Sequence, residues 1–593
     1  MENYQAGNLH QAIIICKKIV KIHPNNINAV NLLGIISYEQ KDYESAIRYL
    51  KKLINLNSSN AEAYYILGHS LQEKGEADEA ITYYQKSLQL NPNFLDAYYN
   101  LGTLFQDKKR NDEASSCYQK ALQINPNDID ALYNLGRVLQ EKELFDDAIT
   151  YYQRALQINP NLADAYNNIG TILQEKELFD EAMTYCQNAL KLNPHLADAY
   201  NNIGIILQEK ELFDEAVTCF HKALQISPTF YKAYYNLGNS MQEKGQMDKA
   251  ITCYQKALQL NPNDADVHFG LGVTFLLLGN FSQGWNEYEW RWKTKDFHKR
   301  SCYRQPSDFS QPLWDGSSLK RKSILIFAEQ GVGDEIMFAS CFEEIIEQAD
   351  ECFIECDKRL MPIFTRSFPK GVLIERLKEA DICRSKLPQT DMVLPLGSLP
   401  KFLRPDFSAF PQKCYIVPNA DKVNVWRNRL KELDTGLKVG ISWRGGGISK
   451  VIRKRSIKLE QWAKLLSLSG IHFINLQYGE CKDELREIKE KLGITIHDWE
   501  DADPLKDLDN FAAQIYALDL VISVDNSTVH MAGALGIPVW TLIPFLPDWR
   551  WILNREDSPW YPTMRLFRQP TLGDWESVIA KVKNELVKLL GNN

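Results

Sequence analysis

Apolar residues recur along the first half of the chain with a helical spacing that is itself repeated. In residues 129–162, Leu132, Leu135 and Leu139 fall on one face of a predicted helix. Gly136 keeps that helix small where a second helix must approach, and Ala148 is the small counterpart on the second helix. Tyr152 and Ala155 are expected to fill the groove between neighbouring units. Pro160, after Asn159, stops the second helix, because proline lacks the amide donor and clashes with the preceding turn. These marks step by 34 residues: glycine at 34, 68, 102, 136, 170, 204, 238 and 272, alanine from 12 to 250, and proline at 24 and from 92 to 262. Ser58 stands on the missing proline rung. Such a period predicts a stack of helix pairs rather than one core.

The pattern resembles the tetratricopeptide repeat across residues 1–298, with eight units from Ile27 onward preceded by half a unit. The last unit, from Ala265, is degenerate. Gly284 stands where alanine is expected and Arg291 replaces the next alanine, which suits a cap joining a following domain. Asn100, Asn134, Asn168, Asn202 and Asn236 hold one position in five successive first helices. First helices line the concave face of a tetratricopeptide superhelix, where a ladder of amides could bind an extended peptide backbone. It resembles the asparagine ladder of the animal O-linked N-acetylglucosamine transferases. Asparagine is also simply common at that position, and both readings stand.

After Trp285–Lys293 the period fades. A polar link over 299–319 is followed by strands alternating with helices. Ser323–Ala328, Phe353–Cys356, Val372–Glu375 and Met392–Leu394 read as one set of strands, with a helix over Glu335–Ala349. A charged helix in 419–435 separates these from a second set near Val439–Trp443, His472–Gln477, Leu520–Val524 and Val539–Ile543. Strands spaced by helices imply parallel sheets covered on both faces. The expected fold class is thus an all-α tetratricopeptide superhelix followed by an α/β pair of Rossmann-like lobes, 320–418 and 436–593. Ligands of such lobes bind beyond the carboxyl ends of the strands.

Three loops carry candidate chemistry. In FAEQGVGDEIMFA (327–339), Gly331 and Gly333 allow a sharp strand-to-helix turn, and Asp334 and Glu335 start the helix. The acids could merely cap it. A dinucleotide fingerprint would want glycine at Ile336, and acids there repel phosphate, so the turn suits deprotonating a hydroxyl better. In SVDNSTVHMAGALGIPV (523–539), Asp525, Asn526, Ser527 and Thr528 form the turn and His530–Leu535 begin a helix. Free amides and hydroxyls there suit an anion, although Asp525 or Ser527 could be a plain N-cap. SWRGGGISKVIRKRS (442–456) reads as a flexible loop. Gly445 and Gly446 expose amides, while Arg444, Lys450, Arg453, Lys454 and Arg455 supply positive charge. The acid pairs Asp501/Asp503 and Asp507/Asp509 lack a third ligand, and no metal site is expected. Trp443, Trp549, Trp551 and Trp560 read as core or lobe-interface aromatics.

Composition narrows the classes. The 593 residues carry 68 Lys+Arg against 76 Asp+Glu, a net −8, which argues against a general nucleic-acid binder. The twelve cysteines contain no CxxC pair, and the closest two, Cys352 and Cys356, have one residue too many between them. A reduced, cytoplasmic chain is expected. The apolar stretch Ala12–Cys16 is too short for a signal peptide. The stretch 526–547 lacks acidic residues, Lys and Arg, but holds too many prolines and polar groups for a membrane span.

The motifs AEQGVGDEIMFA, VGISWRGG, RSI, LDLVISVDNSTVHMAGALGIPVW, PDWRW, REDSPWYPTMRLFRQ and GDW resemble, in order, the C-terminal half of bacterial tetratricopeptide glycosyltransferases. That half is similar to the lipopolysaccharide heptosyltransferase family, of GT-B fold. The resemblance implies a metal-independent, inverting transfer of a hexosyl- or heptosyl-type sugar from a nucleotide-sugar donor substrate, with no further cofactor. It implies Asp334 as general base. Arg455, Arg444, Asp525, Asn526, Ser527, Thr528 and His530 fall on the donor and phosphate side. Many relatives have threonine at the position of Asn526 and lysine at that of Arg455. A hydroxyl contact would then move to Ser527 or Thr528, and arginine would meet phosphate in forked geometry. The repeats would present a protein acceptor. The alternative is a non-catalytic tetratricopeptide scaffold with a degenerate nucleotide-binding module.

Overall fold

The computed structural model describes residues 2–5, 7–295, 297, 304–376, 387–446 and 449–591. Its side chains at 2, 3 and 449–451 are outside that description, so the expected phosphate cation Lys450 is too. The chain forms two compact units, Met1–Pro228 and Thr229–Asn593. Among the described residues no helix is long and apolar enough to cross a membrane.

The first unit is helical throughout. Leu9–Ile22 precedes paired helices, of which Ile129–Glu141 and Phe145–Ile158 are typical. Asp128 caps the first of that pair by accepting the Ala131 amide at 2.8 Å. The reason for Gly136 is steric: a Cβ there would sit 2.8 Å from Cε1 of Tyr152 on the second helix. Tyr152 is fully buried, and its hydroxyl donates to Gln140 at 3.0 Å and accepts from Asn168 of the next unit at 3.2 Å. It therefore closes its own unit and ties the following one, which extends the expected groove-filling role. The turn inside each unit needs one left-handed residue. Gly75 supplies it without strain at φ 81°, whereas Glu143 adopts it at φ 58°.

The second unit starts with two more helix pairs, Tyr231–Glu243 with Met247–Leu260, and Ala265–Leu277 with Phe281–Tyr288. Two parallel sheets follow. The front sheet has the order β3-β2-β1-β4, built from β1 (Ser323–Phe327), β2 (Glu351–Cys356), β3 (Val372–Glu375) and β4 (Met392–Pro395). The rear sheet has the order β6-β5-β7-β8-β9, from β5 (Leu437–Ser442), β6 (Ile471–Asn475), β7 (Leu520–Val524), β8 (Val539–Ile543) and β9 (Met564–Arg568). Every residue of β7 is buried, as a strand covered on both faces requires. Ser442 pairs with Ser523, so β5 and β7 end side by side.

Several boundaries differ from expectation. The two compact units divide at 228, ahead of the last repeats, and Phe281, Trp285 and Tyr288 of the last helix pair share one apolar core with Phe338, Phe410, Trp549 and Trp560 of the lobes. Trp285 Nε1 also donates to the Arg404 carbonyl at 2.9 Å. The supposed link ends inside the front lobe, where the Trp314 amide donates to the Val393 carbonyl at 3.0 Å beside β4. The expected single helix over Glu335–Ala349 is three short pieces, Val332–Phe338, Ala339–Cys341 and Phe342–Gln348. Helix Ala420–Lys431 is not a free spacer. Trp426 Nε1 donates to Asn510 at 2.9 Å and Arg429 forks onto Asp501, so it belongs with the rear lobe.

Candidate functional site

The loop after β1 turns at Gln330, whose φ of 65° is left-handed, and enters helix Val332–Phe338 with Gly331 as N-cap. Asp334 reaches back so that its Oδ2 accepts the Gly331 amide at 3.1 Å. Its Oδ1 accepts from Arg550 Nη2 in a close ion pair. The neighbouring Glu335 points inward instead. It accepts from Arg376 at 2.6 Å and from the Asp357 amide at 2.8 Å. Burial pushes it up to about 8, against the pull of Arg376. Of the two acids at this turn, Asp334 is the one that lines a cavity.

Across that cavity, helix Ser527–Leu535 begins after β7. Its N-cap is Asn526, not Asp525 or Ser527. The Asn526 side chain accepts the Thr528 amide at 2.9 Å, while its Nδ2 donates to Ser442 at 2.8 Å and to the Arg444 carbonyl at 3.0 Å. One amide side chain thus ties the ends of β5 and β7 together, a task that threonine could not repeat. Gly333 has a matching reason: a Cβ there would lie 3.2 Å from His530 Cδ2 and 3.5 Å from Ser527 Cα, so glycine lets the two turns close on each other. His530 is buried, with Nδ1 2.8 Å from the Tyr561 hydroxyl. Burial drives its pKa down to about 3, so the ring is neutral near pH 7.

The cavity has a volume of about 660 Å³. Gly331, Gly333 and Asp334 line its front-lobe side, and Arg455, Asp525, Asn526, Ser527 and His530 line its rear-lobe side. Gln242, Phe269, Val273 and Leu277, from the last two repeats, add to the wall. Arg455 Nη1 lies 3.7 Å from Asp525 Oδ2, and Nη2 donates to the Gly446 carbonyl. A Cβ on Gly445 would sit 2.5 Å from Arg455 Nε, which explains glycine there. Asp525 is raised from its usual range by burial, against the opposing charge of Arg455.

Other expected phosphate groups lie elsewhere. Arg444 does not line the cavity; its guanidinium is 3.2 Å from Glu484 and donates to the Glu480 carbonyl at 2.5 Å. Thr528 is fully buried and is not on the wall. The Gly445 amide is used within the chain, donating to Ser456 at 3.0 Å. Within the basic run Ser449–Arg455 form a helix, and Lys454 is bonded at 2.5 Å to Glu243 of a repeat. Trp443, Trp551 and Trp560 are core residues, and Trp549 also lines the cavity.

Arg550 is a wall residue that sequence reasoning missed. Besides Asp334 it meets Asp548 at 2.5 Å and Gln330 Oε1 at 3.2 Å, and its guanidinium carbon stands 4.8 Å from the Trp549 ring centre. The available signal was a lone cation inside the aromatic motif PDWRW. In the acid pairs, Asp501 is forked by Arg429, while Lys422 pairs with both Asp507 and Asp509. No group of three or more His, Cys, Asp or Glu that could hold a metal occurs among the described residues.

Four of the five repeat asparagines bond to the preceding repeat. Asn100, Asn134 and Asn168 each donate at 3.2 Å to a tyrosine hydroxyl of the preceding unit, Tyr65, Tyr99 and Tyr133. Asn202 is buried and donates at 2.9 Å to Asn167 and to Thr171. Asn236, in the second unit, is half-buried.

Sequence comparisons agree with the repeat reading. Tetratricopeptide repeat families match residues 68–109, 93–161, 163–196, 197–230, 219–252 and 241–279. A family described as anaphase-promoting complex, cyclosome, subunit 3 matches 5–87. The chain carries tetratricopeptide repeats, and their helices run to Tyr288 ahead of two parallel-sheet lobes. Protein FlbA of Caulobacter vibrioides is 32% identical over 325 residues, 52% of this chain and 53% of FlbA. The chain thus spans about half the length of that curated relative. Among solved structures, MamA is 28% identical over 27% of this chain and 95% of its own, at a TM-score of 0.25. YrrB, described as a TPR protein with an unusual peptide-binding site, is 26% identical over 31% of this chain and 95% of its own, at 0.26.

Proposed function

We propose that the cavity of the second unit transfers a sugar from a nucleotide-sugar donor to a hydroxyl group on a protein held by the repeats. The observation that carries this reading is the shared wall: Asp334 after β1, and Arg455 with the start of helix Ser527–Leu535 after β7, line one cavity. In the reaction, the acceptor oxygen attacks the anomeric carbon from the face opposite the diphosphate. The carbon–oxygen bond to the diphosphate breaks, the configuration inverts, and the hydroxyl proton passes to Asp334. General-base help of this kind is worth about 10²–10⁴-fold. The departing diphosphate gains negative charge, which Arg455 and the Ser527 helix start would offset without a metal. Gln242, Phe269, Val273 and Leu277 place repeat side chains on the same wall, which supports a protein as acceptor.

The second reading, a repeat scaffold with a silent nucleotide-binding module, is favoured by one observation: both Asp334 oxygens already have partners. Incubation with a panel of nucleotide sugars, scored by released diphosphate in the presence and absence of chelator, separates the two. Release that depends on Asp334 and survives chelation supports transfer; no release from any donor supports the scaffold.

A further inference from the structure

A carboxylate that serves as a base needs room for a hydroxyl to reach one of its oxygens, and Asp334 has Oδ2 on the Gly331 amide while the bulky Arg550 guanidinium sits on Oδ1. The amide bond holds the helix turn and costs nothing to keep. The arginine is the partner that a ligand in the cavity can draw away. Its surroundings suit an exchange. Asp548, on the same short segment, keeps hold of Nη1 at 2.5 Å, and Gln330 accepts from Nη2 at 3.2 Å. Arg550 lines the cavity together with Arg455 and Ser527, where a diphosphate would lie. Phosphate oxygens accept a forked guanidinium as a carboxylate does.

We propose that Arg550 is a positioning residue that changes partner. It holds Asp334 while no donor is bound, then turns onto the donor's diphosphate and leaves Asp334 Oδ1 free for the acceptor hydroxyl. The base is thereby released by the arrival of the substrate it serves. The proposal rests on reading the cavity as a nucleotide-sugar site, and binding measurements test the two separately.

The experiment is titration calorimetry of the full chain with inorganic pyrophosphate, then with UDP, GDP and ADP, on a double-mutant cycle. Asp334→Asn releases Arg550, so it should bind pyrophosphate about tenfold tighter than wild type, the low end for a charge-assisted hydrogen bond. In an Arg550→Gln background the same change should alter affinity by less than about twofold. A tenfold gain that persists with Arg550→Gln would mean that Asp334 merely repels the anion, and would overturn the proposal, as would no gain at all. Arg550→Lys covers a folding failure of Arg550→Gln, judged by thermal melting. It keeps the charge but loses the forked reach, so the gain must shrink, and an undiminished gain counts against the exchange. Wild type and every variant binding neither pyrophosphate nor any diphosphate would overturn the site reading and the exchange together. Binding without coupling would overturn the exchange alone.

Discussion

Arg291 and Arg550 stand on the wall of the same cavity, the first buried and the second half-buried, and they are held in different ways. Arg291 belongs to the joint where the last repeat meets the front lobe. Its Nε and Nη2 fork onto Glu329 at 3.0 and 2.8 Å, Nη1 meets Glu289 at 2.7 Å, and Nη2 also meets Ser398 at 2.9 Å. Arg291 and Glu329 are 1% and 0% exposed, so the pair is sealed. Arg550 belongs to the mouth between the lobes, and its acids Asp334 and Asp548 are 21% and 36% exposed. A sealed pair can only hold structure. An open pair, with its partners facing a cavity, can be competed for by a ligand.

That contrast is broken or sharpened by four measurements. Glu329→Ala leaves a buried, partly unpaired guanidinium and should cost about 3–5 kcal/mol in chemical denaturation. A loss under about 1 kcal/mol would show that the joint is not a lock. A second effect comes from His530, held neutral in the fold. Its pKa lies near 3 when folded and near 6.5 when unfolded, so its contribution is intact above 6.5 and is lost as pH falls through that window. Relative to His530→Gln, wild type should lose about 2–3 kcal/mol between pH 7 and 4.5. Parallel melting profiles would refute the burial argument. Arg455→Ala should weaken pyrophosphate binding about tenfold, the worth of one charge-assisted contact. Arg444→Ala, whose side chain is turned to Glu484, should change it by less than about twofold. Equal losses from both would mean that the basic loop binds as a diffuse patch.

The repeat was legible because it is local. A glycine, an alanine and a proline at fixed places report contacts made within one helix pair, and Gly136 beneath Tyr152 is that contact. Strands buried on both faces were legible as apolar runs. β9 was missed because Arg565 and Arg568 interrupt its apolar pattern. The long helix after β1 was overread, since periodicity continues smoothly across a turn that tightens at Ala339–Cys341.

The site was legible only in part. Turn residues are set by neighbours in sequence, and Asp334, Ser527 and His530 do reach one cavity. The destination of a long side chain is set by tertiary neighbours. Arg444 turns to Glu484 and Lys454 to Glu243, though both lie in one basic run with Arg455. Nothing in local spacing joins Arg550 to Asp334, which is 216 residues away in the chain. Asn526 shows the same limit in reverse: read as a departure from a hydroxyl, it turns out to tie two strand ends that only the folded sheet brings together.

The central claim is that Asp334 serves as the base of a sugar transfer in this cavity. The purified protein and its Asp334→Asn variant, incubated with nucleotide sugars and followed by diphosphate release, test it most directly. The account predicts release by wild type from at least one donor and a loss of about 10²–10⁴-fold in the variant, with pyrophosphate still bound. Equal turnover by the two proteins would contradict it.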